Sequence, residues 1–275
     1  MNKILIPTDF SETSTSAINY GIELAMAASA KVILLHVMSM PIITTETQIV
    51  VPPLDEMKRE CEGLMDKLKK EITLKTNNAI EIKCICKIGF SVDEINQYAL
   101  DNAIDLIVIG MHGASYLSEK IIGSTTTALM QKSKCPILAV EAKVKFKPIE
   151  KILLATDYEE IDNRRTLLPL KELAHLFKSH IYILNVLKEP ASKPTINEAV
   201  AAVRLEHSLS DVNHSFHFIQ NDDVVSGIND YVTLHQVDLV VMIPRTHSIL
   251  KNIFVQPHTK KMAFHSATSL LTLHE

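Results

Sequence analysis

Glycine is scarce in this chain, seven in 275 residues, and three of the seven stand in one stretch with hydroxyls and a histidine among them. That stretch runs Gly110-Met111-His112-Gly113 and then, nine residues on, Gly123-Ser124-Thr125, a spacing of G-x2-G-x9-G-[ST]. Gly110 ends a buried apolar run, and Gly113 permits a turn or a close backbone approach. Gly123-Ser124-Thr125 precede a helical run from Ala128 to Ser133. The first amides of a helix have no partner within it, and the helix dipole there favours an anion by about 0.3–1 kcal/mol. The hydroxyls of Ser124 and Thr125 add hydrogen bonds to phosphate oxygens. The chemistry these residues suit is phosphate binding; the alternative is three structural glycines in turns.

Two better-known phosphate loops are absent, G-x-x-x-x-G-K-[ST] and G-x-G-x-x-G. Fast phosphoryl transfer needs cations on the transferring group, and the nearest candidates are His112 and Lys120. The expectation is therefore binding with slow or no hydrolysis.

The elements that must position this loop follow from alternating apolar runs and helical periods. Residues 3–7 read as a short strand, and Ala17, Gly21, Leu24, Ala25 and Ala28 then recur at helical spacing, with Ser11 to Ser14 offering N-caps. A strand at 31–38 precedes a proline-bearing loop from Ser39 to about Pro53. Leu54, Met57, Cys61, Leu64, Met65 and Leu68 share one face of a helix over 54–75. Strand 80–86, helix 91–102, strand 105–109, helix 123–133 and strand 136–140 complete the unit. Helical crossovers of this length imply a parallel sheet. Such a doubly wound sheet binds ligands where strand order reverses, here at Asp9 and Gly110.

The unit occurs twice. K-I-L-I-P-T-D at 3–9 recurs as K-I-L-L-A-T-D at 151–157, and D-L-I-V-I at 105–109 recurs as D-L-V-V-M at 238–242. The expected organisation is α/β, two tandem doubly wound parallel-sheet domains at 1–144 and 149–275, with the seam in the lysine-alternating stretch 141–148. The second copy departs at the loop. Ile243-Pro244-Arg245-Thr246 replace Gly110 to Gly113, and Val255 to His258 replace Ile122 to Thr125, so Asp157 survives without a phosphate cradle.

The glycine pattern, the opening I-L-I-P-T-D-F-S-E-T-S and the alanine-rich helix after it resemble the ATP-binding branch of the universal stress protein family, across both repeats. The resemblance implies a Rossmann-like fold of the adenine nucleotide alpha hydrolase type and a stress-response regulator holding ATP, ADP or AMP with Mg²⁺. It implies that Asp9 contacts the ribose beside Pro7 and Thr8, and that the backbone of Val37 and Met38 meets adenine. Met111, His112 and Gly113, with Gly123, Ser124 and Thr125, would wrap the phosphates. It also implies that strands 136–140 and about 268–273 pair the copies as an intramolecular pseudo-dimer, with a homodimer as a further arrangement. Two alternatives stay open: a weak ATPase or nucleotidyl-transfer enzyme, for which His112, Glu119 and Lys120 are the groups on offer, and a nucleotide-free dimerisation module.

Composition bounds the partners. Net charge is −4, so no long-range field favours nucleic acid or an anionic membrane. Hydrophobic residues make up 47% and aromatics 5%, which suits aliphatic strands buried on both faces. The N-terminal segment lacks the form of a signal peptide, and no apolar run reaches membrane-spanning length. Cys61, Cys84, Cys86 and Cys135 form no C-x-x-C pair, so a soluble protein of a reducing cytoplasm is expected, with Cys84 and Cys86 sharing a strand face as packing residues. Ten of the twelve histidines lie in the second half. His214 and His217 fall on opposite faces of a strand, and no metal site is expected.

Overall fold

In the computed structural model, described over residues 1–39, 43–44, 49–50, 53–112, 122–142, 144–157, 164–187, 196–244 and 268–274, the apolar runs become strands of one large sheet. In chain order the first elements are β1 (Lys3–Pro7), α1 (Glu12–Ala28), β2 (Lys31–Met38), the short strands β3 (Ile43–Thr44) and β4 (Ile49–Val50), and α2 (Leu54–Lys75). Next come β5 (Ile82–Ile88), α3 (Ser91–Asp101), β6 (Leu106–Gly110), α4 (Ser124–Lys132) and β7 (Ile137–Val140). The remainder is β8 (Lys151–Ala155), a 3₁₀ turn (Arg164–Leu167), α5 (Leu168–Phe177), β9 (His180–Leu187), α6 (Ile196–Ser208), β10 (His214–Gln220), α7 (Val224–His235), β11 (Leu239–Met242) and β12 (Ser269–Thr272).

The ten-stranded sheet has the order β10-β9-β8-β11-β12-β7-β6-β1-β2-β5. Its neighbours are parallel except at one joint, where Leu270, Leu271 and Thr272 of β12 lie antiparallel to Ala139, Leu138 and Ile137 of β7. Strands in the middle of such a sheet are apolar on both faces because helices cover both. On β1, Ile4 and Ile6 pack into the layer that holds Leu24 of α1 and Met65 of α2. Leu5 between them packs into the opposite layer, with Ile95 of α3 and Leu129 of α4.

Local chemistry sets the element ends. Ser11 caps α1, its side chain accepting from the Ser14 amide at 3.2 Å, and Ser29 closes the helix in the left-handed region at φ 53°. The strand expected at 80–86 forms at Ile82–Ile88. Asn77 and Asn78, both left-handed at φ 49° and 57°, add a turn after α2 that an apolar-run reading does not register. The loop expected from Ser39 to Pro53 contains β3 and β4, an antiparallel pair built on β-branched residues.

The repeated segments contain a lock that explains their lysine and aspartate. Asp105 Oδ2 accepts from the amides of Asn2 at 2.6 Å and Lys3 at 2.9 Å, while Lys3 Nζ donates to the Asn102 carbonyl at 2.8 Å. Asp238 Oδ2 accepts from the amides of Glu150 at 3.0 Å and Lys151 at 2.9 Å, while Lys151 Nζ donates to the His235 carbonyl at 2.9 Å. Each aspartate satisfies amides at the start of a strand, and each lysine satisfies a carbonyl at the end of a helix.

The cysteines require a correction. Cys61 of α2 and Cys86 of β5 form a disulfide, 25 residues apart in the chain, while Cys84 and Cys135 are free. Cys86 is therefore more than a packing residue, and the chain does not carry its thiols uniformly reduced. Helical period aims Cys61 at the sheet, and strand alternation aims Cys86 at α2; their separation in sequence hides the meeting. Among the described residues no group of three or more His, Cys, Asp or Glu is placed to hold a metal ion.

Burial lowers the imidazole of His274, beyond β12, to about 4. An unfolded histidine titrates near 6.5. Below about pH 6.5 the unfolded chain takes up a proton that the folded one refuses, so stability falls as pH drops toward about 4. The full difference amounts to up to about 3 kcal/mol. Burial also lowers His180 and His217, in the same direction. Urea midpoints should fall between pH 7 and pH 5, and His274→Phe should flatten that fall; an identical slope in the variant would remove His274 from the account.

Candidate functional site

Strand order reverses at β1, with β2 on one side of it and β6 on the other. Sheets of this kind bind ligands outside the carboxyl ends of their strands at that point. A cavity of about 390 Å³ opens there, a size found among small-molecule sites. β1 and the residues after it contribute Pro7, Thr8 and Asp9, and β2 contributes Leu35 and Val37. Ser91 and Ile95 of α3 form one wall. Ile109, Gly110 and His112 form the other, with Gly123 to Thr126 at the start of α4 and Ser14 from α1.

The turn from β1 into α1 is held by short hydrogen bonds. Asp9 Oδ1 accepts from the Ser11 amide at 3.0 Å and from the Ser11 hydroxyl at 2.5 Å. The Thr8 and Ser14 hydroxyls lie 3.1 Å apart, and the Phe10 amide donates to Thr8 Oγ1 at 3.1 Å. Phe10 has φ 62°, a left-handed conformation that costs a non-glycine residue about 1–2 kcal/mol. Two contacts oppose that cost: the Phe10 ring lies 4.7 Å from that of His36, and His36 Nδ1 lies 2.7 Å from the Thr8 carbonyl oxygen. Ser11, not Asp9, is the N-cap of α1, which leaves Asp9 as an exposed carboxylate at the cavity.

The opposite wall is built around Gly110. A Cβ there would sit 3.0 Å from the Thr13 carbonyl oxygen and 3.2 Å from its carbon, so only glycine lets β6 approach α1 this closely. Thr126 Oγ1 donates to the Gly110 carbonyl at 2.8 Å, and the Gly123 amide donates to the Met111 carbonyl at 2.7 Å. Those two bonds aim the start of α4 into the cavity. Gly123 is the N-cap of α4, and among the described residues no side chain caps that helix. The helix end therefore presents amides and the Ser124 and Thr125 hydroxyls to the cavity, an anion-binding arrangement. His112 Nε2 lies 3.1 Å from Glu141 Oε2, both side chains largely buried.

Nine of the residues singled out by sequence, Pro7, Thr8, Asp9, Val37, Gly110, His112, Gly123, Ser124 and Thr125, thus border one cavity. Met38 and Met111 are adjacent without lining it: Met38 packs in the layer of α1 and α2, Met111 in the layer of α3 and α4. Gly113, Glu119 and Lys120 lie outside the described residues, as do Arg245, Thr246 and Val255 to His258 of the second copy. Ile243, in the place of Gly110, carries a side chain buried in the core. Sequence reasoning missed Ser91 and Ile95, although a helix that follows a parallel strand starts at the ligand-binding end of the sheet. It also missed Glu141, whose meeting with His112 depends on the pairing of β6 with β7 and leaves no trace in local sequence.

Comparisons with known proteins agree with this architecture. The model of the universal stress protein family matches residues 1–141. The chain is 30% identical over 154 residues to Universal stress protein MJ0577 of Methanocaldococcus jannaschii, covering 51% of this chain and 95% of that protein. It is 32% identical over 148 residues to Universal stress protein YxiE of Bacillus subtilis, covering 50% of this chain and 98% of that one. Over nearly its whole length it shares the fold of a universal stress protein from Archaeoglobus fulgidus, with TM-score 0.72, 18% identity, and coverage of 98% and 97% of the two chains.

Proposed function

Because the chain belongs to the universal stress protein family, we propose that it is a nucleotide-responsive stress regulator that holds one ATP in the cavity between β1, β6 and α4. The observation that carries this reading is the start of α4, without a capping side chain among the described residues, whose Ser124 and Thr125 line a cavity that Asp9 also borders. In this reading Asp9 takes the ribose hydroxyls beside Pro7 and Thr8. The backbone of Val37 and Met38 meets the adenine edge, and Leu35 and Ile95 supply apolar surface to the base. Met111, His112 and Gly113, with Gly123 to Thr125, surround the phosphates.

No lysine or arginine stands among the described lining residues. A triphosphate in this cavity therefore suits a partner cation, and Mg²⁺ on the phosphate oxygens would supply the neutralisation. The same lack argues against fast phosphoryl transfer. The chain is proposed to hold nucleotide with slow or no turnover, and ADP or AMP would use the same cradle.

We further propose two units, 1–144 and 149–275, joined as an intramolecular pseudo-dimer through β7 and β12. The repeated aspartate–lysine locks support this reading. The second unit has Ile243-Pro244 where the first has Gly110-Met111, so it serves structure rather than nucleotide. A homodimer through other surfaces belongs to the same proposal. The cytoplasm is the proposed location; no helix among the described residues is long and apolar enough to cross a membrane.

Mass spectrometry of gently purified and then denatured protein should release adenine nucleotide at up to one per chain. A weak ATPase is the second reading, favoured by His112 with its ring held by Glu141, the arrangement of an oriented general base. Steady-state turnover with Mg²⁺ that vanishes in His112→Ala would favour that reading over simple binding.

A further inference from the structure

We propose that Cys61 and Cys86 form a thiol–disulfide exchange site for low-molecular-weight thiols and disulfides, and that its state sets how firmly the Thr8 wall of the cavity is held. The second half of this statement rests on the nucleotide reading only for its consequence on ATP affinity; the structural coupling stands by itself.

The geometry is continuous from the sulfurs to the cavity. β5 is the edge strand of the sheet, paired only with β2 among the described strands, and the disulfide ties it to α2. In the β2–β5 register Cys86 stands opposite His36. Parallel neighbours in register point their side chains to the same face, so the crosslink and the imidazole lie on the same side of the sheet. His36 is the residue whose Nδ1 meets the Thr8 carbonyl at 2.7 Å and whose ring carries strained Phe10. At its carboxyl end β5 is fixed to β2 through the Gly89 amide and the Met38 carbonyl, 3.0 Å apart, and leads into Ser91 and Ile95 of the cavity wall. One crosslink thus steadies the Thr8 turn and the entry to α3.

The site is also selective among the four cysteines. Cys86 is half-buried and Cys61 is 3% exposed. An incoming thiolate therefore attacks Cys86 Sγ; the bond to Cys61 breaks, and its electron pair leaves on Cys61 Sγ, which takes a proton. A second thiolate attacks the outer sulfur of the mixed disulfide, which frees Cys86 and releases the small disulfide. The sum is one protein disulfide plus two small thiols giving two protein thiols plus one small disulfide, and oxidation is the reverse. Cys84 donates to the Met65 carbonyl at 3.6 Å, and burial raises its thiol above the ordinary range. Cys135 donates to the Ile104 carbonyl at 3.3 Å and is pushed by burial up to about 12. Neither competes effectively as a thiolate.

The test equilibrates the full chain with glutathione disulfide or with dithiothreitol, then counts iodoacetamide-labelled cysteines in denaturant. Two labels are expected in the oxidised protein and four in the reduced one; four in both overturns the site. Hydrogen exchange without nucleotide should quicken on reduction by about tenfold over residues 7–15 and 82–95. Unchanged exchange there overturns the coupling. ATP should bind the reduced protein about three- to tenfold more weakly, the scale of one loosened hydrogen bond. Equal affinities in two states that both bind overturn the effect on ligand. Redox-dependent exchange in a protein that binds no ATP in either state keeps the switch and removes the nucleotide reading. Cys86→Ser should copy the reduced chain and Cys84→Ser the unmodified one; should Cys86→Ser fail to fold, reduction of the unmodified chain gives the same answer.

Discussion

Replacing Gly110 by valine is expected to weaken ATP binding roughly a hundredfold. The atoms that a Cβ would meet at 3.0 and 3.2 Å are the backbone oxygen and carbon of Thr13, which cannot swing aside as a side-chain tip does. The first turn of α1 must retreat, and it carries Ser11 and Ser14, through which Asp9 and Thr8 are held. The Gly110 carbonyl also anchors Thr126, so the start of α4 shifts with it. Both walls of the cavity move from one substitution. Gly63, exposed on α2, is the natural control: a Cβ there meets nothing within 4 Å. Gly63→Ala should leave affinity unchanged and raise stability by about 0.5–1 kcal/mol. Titration of both variants by calorimetry, with urea unfolding alongside, separates a lost site from a lost fold.

Asp238→Ala should destabilise the fold by about 3 kcal/mol. Its carboxylate is 7% exposed, accepts two strand amides through Oδ2, and pairs through Oδ1 with Lys147 Nζ at 2.6 Å. Truncation leaves those amides without their acceptor at the start of β8. Asp105→Ala removes the equivalent acceptor from the start of β1, but among the described residues no lysine pairs with Asp105 as Lys147 pairs with Asp238. A smaller loss of about 2 kcal/mol is expected there. Urea midpoints at unchanged m-value measure both. A loss below about 0.5 kcal/mol at Asp238 would mean that water replaces the carboxylate without penalty.

What the sequence makes legible follows from what periodicity reports. An apolar run says that a segment is buried, and the alternation of runs with helical periods implies a parallel sheet and the end at which it binds ligands. Asp9 and Gly110 could be placed together on that ground, although they are far apart in the chain. Periodicity does not say which buried face meets which. Cys61 and Cys86 each read as a packing residue, and only the crossing of α2 over β5 joins them. Glu141 reads as linker until β7 lies beside β6. Lys3 and Asp105 were visible as repeated landmarks, yet their partners are main-chain groups at element ends, which carry no residue identity. The late start of β5 has a similar origin, because the left-handed turn at Asn77 and Asn78 interrupts the apolar pattern on which the strand was placed.

Titration of the purified chain, freed of any bound nucleotide, with ATP and Mg²⁺ tests the central claim most directly. The predicted result is one site per chain, lost in Gly110→Val and retained in Gly63→Ala. Two equivalent sites, or none at millimolar ATP in a folded protein, would contradict it.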